Sequence, residues 1–134
     1  MNKKLIDEAV RLASEKLLTH PEYSCYPHYS FLVQDNKILS IGMNNKNQVP
    51  LLHYGYHMRV DHTVPKMHAE PVAWRKGRGI INKMRSWEMI NIRLNRHYKL
   101  MSAAPCEVCF NLLKSVGCHC FHYSSELGFA KLST

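Results

Sequence analysis

Two short stretches decide how this chain reads: Met67-His68-Ala69-Glu70 and Pro105-Cys106-Glu107-Val108-Cys109. Cys106 and Cys109 are three residues apart, so the first turn of a helix puts both sulfurs on one face. Pro105 suits the start of that helix, where its missing N–H is no loss. The positive end of the helix dipole favours thiolates there. A zinc ion that does chemistry takes three protein ligands and keeps a fourth position for water. His68, at the start of another helix, supplies the third ligand. A structural zinc site would want a fourth Cys or His, and the chain has nine His and five Cys. Neither that reading nor chance spacing explains a Glu two residues after the His, or a Pro directly before the Cys pair.

The pattern His-x-Glu followed by Pro-Cys-x-x-Cys is the zinc nucleobase deaminase signature. Over roughly residues 28–133 the chain resembles the cytidine deaminase-like superfamily, whose members act on free nucleosides, deoxycytidylate, tRNA adenosine or DNA and RNA. The resemblance implies one Zn2+ per chain on His68, Cys106 and Cys109, with Glu70 as general acid and base and not a ligand. It implies hydrolytic conversion of a cytosine base to uracil with release of ammonia. It also implies a base contact from the backbone at Ala69 and a sugar contact from an Asn closing the second strand. Asn44 matches by position, with Asn45 beside it. An Asn pair after a strand is also ordinary turn chemistry. Cytosine is the ring most members use, and adenine and guanine stay open.

Around these motifs the chain alternates helix and strand patterns. Residues 3–19 repeat Ile6, Val10, Ala13 and Leu17 at helical spacing, with Leu5, Ala9 and Leu12 alongside. His20-Pro21 ends that helix. Tyr29 to Gln34 and Lys37 to Met43 read as strands apolar on both faces, which suits a sheet covered by helices, and Asp35-Asn36 reads as the hairpin turn between them. Residues 45–66 form a long connection carrying His53, Tyr54, Tyr56, His57 and His62, aromatics able to stack on a base or to pack on one another. A second helix covers 67–76, and Trp74 on it reads as core. A third strand runs from Ser86 to Asn95, with Ile90, Ile92 and Leu94 on one face and Met89, Asn91 and Arg93 on the other. The small residues Ser102, Ala103 and Ala104 leave room for a base beside the metal. The Cys helix covers 106–116 and ends at Gly117.

Cys118 to Ser124 reads as a fourth strand, and Phe129 to Ser133 as a fifth. Alternation puts Cys118, Cys120 and His122 on one face. Free Cys is among the most buried residue types, so this face reads as core without metal. No length remains for another helical crossover, so the last strand pairs antiparallel with its neighbour. The expected fold is α/β: one three-layer α/β/α domain over residues 1–134, with a mixed five-stranded sheet. Its ending resembles free-cytidine deaminases, whereas His as first ligand resembles the nucleotide and polynucleotide enzymes.

The charge is concentrated. Residues 75–99 carry eight Lys or Arg against Glu88 alone, within a chain of net charge +8. That suits a phosphate-bearing nucleotide or a nucleic acid, and equally a solvated basic face. A catalytically inactive nucleotide-binding module is the remaining class, and the presence of Glu70 with all three ligands speaks against it. No signal peptide or membrane-length apolar run is evident, so the expected setting is cytoplasmic with no membrane partner. The odd Cys count suits a reducing compartment. A homo-oligomer is compatible with all of this.

Overall fold

The computed structural model describes residues 3–19, 28–44 and 68–134. In chain order the elements are α1 (Lys3–Thr19), β1 (His28–Gln34), β2 (Lys37–Met43), α2 (Ala69–Gly77), β3 (Trp87–Leu94), β4 (Leu100–Met101), α3 (Glu107–Ser115), β5 (Cys118–Ser125) and β6 (Gly128–Ser133). The strands form one sheet in the order β2-β1-β3-β5-β6, with β4 added to β3. Among the described strands only β3 and β5 run parallel; the other pairings are antiparallel. The expected antiparallel last strand is there. The sixth strand is the two-residue β4, in a stretch that reads from sequence as loop: two residues are too few to show any alternation.

One layer is α1. Its deepest stripe is Leu5, Ala9, Ala13 and Leu17, spaced four apart, and it packs on Tyr29, Phe31, Val33, Ile90, Ile92 and Leu94. Ile6, Val10 and Leu12 flank that stripe and are half-buried. Burying each leucine contributes roughly 1.5–3 kcal/mol. Leu32, Ala73, Trp87, Met89, Leu113, Cys118 and Phe121 form the second core, where α2 and α3 cover the other face. The faces expected for β3 are the observed ones. β2 differs: it is an edge strand and mostly half-buried.

The β1–β2 hairpin closes as expected. Asp35 and Asn36 both take positive φ (54° and 60°), the conformation of a type I′ turn. At the other end of β2, Gly42 lets α2 lie directly on the strand. A Cβ at this position would come within 2.4 Å of the Ala69 carbonyl oxygen and the Ala73 nitrogen, both backbone atoms. This contact brings the start of α2 against the end of β2. Among the described residues no helix is long and apolar enough to cross a membrane.

Candidate metal centre

Two helix starts meet at the C-terminal end of β3. His68 is the N-cap of α2, in extended conformation, and its ring does not cap the helix. The imidazole Nδ1 lies 3.4 Å from Cys109 Sγ and 3.7 Å from Cys106 Sγ. Cys106 is the N-cap of α3, and its sulfur accepts the Cys109 N–H at 3.3 Å. A thiolate here therefore takes the place of the usual capping oxygen and meets the positive end of the dipole. The Cys109 thiol, followed by the His68 ring, holds Cys106 down at a pKa of about 3 against the opposing effect of burial. The three expected ligands are thus gathered into one cluster.

Glu70 sits in the first turn of α2 and is 1% exposed. Its Oε2 accepts from Asn91 Nδ2 at 3.2 Å, while its Oε1 is buried with no hydrogen-bond partner among the described residues. A buried carboxylate oxygen left bare in this way, two residues along the chain from His68, is an acceptor open to a further partner. Ala69 is fully buried at the same helix start. Asn44 follows β2, where its Oδ1 accepts the His28 N–H at 3.1 Å and its own N–H donates to the His28 carbonyl at 3.2 Å. Met67, Asn45 and the aromatic residues of 45–66 lie outside the described residues.

Two residues that sequence reasoning passes over belong to this neighbourhood. His28 opens β1 opposite Arg93. Burial pushes its pKa below 6.5, opposed by Glu70 and aided by Arg93 and His68. A single His among nine carried no signal. Asn91 is fully buried and spends its whole carboxamide: it accepts from Ser30 Oγ at 2.9 Å and donates to Glu70 and to the Ala103 carbonyl at 3.3 Å. Its signal was available, as an Asn amid the apolar run Met89–Leu94.

The basic segment is disposed differently from its sequence proximity to Glu70. Arg75, Lys76 and Arg78 lie at the C-terminal end of α2, with Arg78 about 12 Å along the axis from Glu70. Each of the latter two has local company. Lys76 Nζ donates to the Ile41 carbonyl at 3.3 Å, and Arg78 stands 5.3 Å over the Trp74 ring. Arg85 pairs with Asp35 at 3.0 Å. Arg78 and Lys83 border a cleft of about 620 Å³ floored by Trp74, Ile81, Trp87 and Val116, so Trp74 is part surface and not wholly core. Arg93 lies opposite His28 across the β1–β3 ladder, and its charge helps to lower the His28 pKa.

No protein-family model matches the chain, and no curated protein sequence does. Solved structures do match. The apo dCMP deaminase from the cyanophage S-TIM5 aligns at a TM-score of 0.55 and 17% identity, over 92% of this chain and 84% of that chain. The same enzyme in complex with dCMP and dUMP aligns at 0.54 and 17%, over 92% and 82%. The likeness shows the fold: the chain has the cytidine deaminase-like α/β architecture.

Proposed function

We propose that the protein is a zinc-dependent hydrolytic deaminase acting on the cytosine ring of a nucleoside or nucleotide. The observation that carries this reading is the meeting of His68, Cys106 and Cys109 beside a buried Glu70 with one unpartnered oxygen. The likeness to a dCMP deaminase, one of whose structures holds dCMP and dUMP, supports a nucleotide substrate.

The donor set fits zinc. Tetrahedral ligands at the usual Zn–S and Zn–N lengths stand about 3.5 Å apart from S to N, against 3.4 and 3.7 Å here. When bound, the ion supplies the Lewis acidity that makes water a nucleophile near neutral pH. Glu70 takes a proton from the attacking water and delivers it to the ring nitrogen beside C4, which makes that carbon electrophilic. A C–O bond forms at C4, the bond to the exocyclic nitrogen breaks, and Glu70 passes a proton to the departing amine. Ammonia leaves and the ring is uracil. Asn91 keeps Glu70 at its station through these transfers. Asn44 offers its amide nitrogen to the sugar, and the Ala69 backbone contacts the base. Arg93, opposite His28 at the start of β1, is the cation assigned to a substrate phosphate in this reading.

A second reading has its own observation. The cleft beside Trp74 and Trp87, rimmed by Arg78 and Lys83, has the aromatic and cationic lining that single-stranded nucleic acid uses. A substrate panel separates the two. Zinc-loaded protein is assayed for ammonia with cytidine, deoxycytidine, their monophosphates, single-stranded DNA and RNA. Turnover of a monophosphate at rates above those of the polymers is the expected result. Polymer-only turnover would favour the second reading, and ammonia from none of them would refute both.

A further inference from the structure

The face that alternation assigns to Cys118, Cys120 and His122 is not the one that forms. The ladder between β3 and β5 slips: Trp87 pairs with Cys118, but Met89 pairs with Phe121. Two steps on β3 match three on β5, so β5 carries a bulge. Cys118 therefore turns to the α2–α3 side, where it packs with Trp87, Leu113 and Phe121. The side chain that joins Cys120 and His122 is Glu88, the lone acid of the basic segment. Glu88 Oε1 lies 2.7 Å from Cys120 Sγ and 3.3 Å from His122 Nε2, and that nitrogen lies 3.3 Å from the sulfur.

We infer that Glu88, Cys120 and His122 form a second metal site, for a divalent cation of the zinc class, separate from the cluster around His68. One thiol, one imidazole and one carboxylate are a borderline-soft donor set that suits this class. Their ligand atoms converge within a single small polyhedron. Tetrahedral zinc with such donors has edges of about 3.3–3.5 Å. The two edges through His122 are already there, and the Cys120–Glu88 edge opens to meet the ion. Glu88 can give way, since its side chain is 26% exposed while His122 is 8% exposed. Cys120 is fully buried. The ion has an approach: a cleft of about 160 Å³ bounded by Leu5, Gln34, Asn36 and Ser86 opens onto Glu88. Glu88 is three residues before Asn91 on β3, so the site lies about 10 Å along the strand from Glu70's anchor and on the opposite face of the sheet. On binding, the Cys120 thiol proton is released to solvent and a metal–sulfur bond replaces it. The ion ties β3 to β5, the one parallel pair among the described strands. An ion held here would be a second one per chain, where the sequence-based expectation is one zinc and a metal-free Cys120.

The test uses the full chain as a C106S/C109S variant, checked for native circular dichroism and titrated with Co2+. Expected are one bound equivalent, visible bands of tetrahedral intensity and a thiolate-to-cobalt charge-transfer band. Adding C120S should abolish that band, and adding C118S should leave it. A folded variant that binds no Co2+, or a band that survives C120S, overturns the site. Should the double variant fail to fold, zinc is counted in the otherwise native chain reconstituted with excess Zn2+ and desalted. C120S and H122Q must then each lower the content by one equivalent. An unchanged count in both refutes the proposal.

Discussion

Asn91, in the middle strand of the sheet, donates from Nδ2 to Glu70 Oε2 at 3.2 Å in the first turn of α2. The same side chain is fixed at its other end by Ser30 Oγ, so the general acid/base is tied to the centre of the β-sheet by one rigid amide. Asn91→Ala should lower kcat about 10- to 100-fold, the range for a misplaced catalytic group, with KM little changed. It should also destabilise the fold by about 1–3 kcal/mol, because Ser30 loses a buried partner. Steady-state kinetics on protein corrected for folded fraction separates the two effects. Turnover per folded molecule equal to wild type would make Asn91 structural only.

Glu70→Gln should keep the fold and the zinc but lose about 100-fold or more in turnover, since an amide cannot take and return a proton. Metal content and activity are measured on the same sample. More than about a tenth of wild-type activity in zinc-loaded Glu70→Gln would leave the carboxylate without its assigned role.

Charge at the far end of α2 should be indifferent to a mononucleotide. A triple substitution of Arg75, Lys76 and Arg78 to Gln should leave KM for a monophosphate within about twofold, whereas Arg93→Gln should raise it by about tenfold, the loss of a charge-assisted contact worth about 1.4 kcal/mol. The same triple variant should weaken binding of single-stranded nucleic acid and flatten its dependence on salt, because fewer counterions are released. A triple variant that raises the monophosphate KM as much as Arg93→Gln does would contradict this separation.

Tyr29 gives a pH signature independent of any metal. Burial, with Tyr98 adding to it, pushes the phenol up to about 12 from 10.0. Its hydroxyl has no hydrogen-bond partner among the described residues. A raised folded pKa means the contribution to stability is whole below pH 10 and is lost as pH rises toward 12. Across that window the wild type should lose stability relative to Tyr29→Phe by about 1.4 kcal/mol per pH unit. At neutral pH the Phe variant should match or exceed the wild type by about 1 kcal/mol, as it removes an unpaired buried hydroxyl. Denaturant titrations at pH 8 and pH 11 provide the comparison; parallel curves for the two proteins would contradict it.

What the sequence discloses is what repeats or what is local. The stripe of α1 and the alternation of β3 are periodic, and the Asp35-Asn36 turn is a local backbone preference, so all three can be read in advance. The Cys106–Cys109 pair is legible for the same reason, since one helical turn sets its geometry. His68 joins it across 38 residues only by a known pattern. What could not be read depends on register between strands. The slip between β3 and β5 is a tertiary event, and it alone separates Cys118 from Cys120 and brings in Glu88. Likewise Arg75 and Lys76 sit five and six residues after Glu70, yet a helix converts that proximity into distance. Asn91 shows the opposite case, since a polar residue amid buried apolar neighbours must be partnered, and here the partner is the functional group itself.

The extra residue in β5 makes that strand tolerant of a change in length. His119 is exposed and falls inside the slip, between Cys118 facing α3 and Cys120 facing Glu88. A chain lacking His119 would restore a regular ladder and still send its two neighbours to their present sides, surrendering chiefly the bonds that Thr134 makes to the Cys118 and His119 carbonyls. A single-residue deletion usually turns every following side chain of a strand inside out; at this one position it would be absorbed, and the strand could drift in length across evolution while both of its faces kept their chemistry.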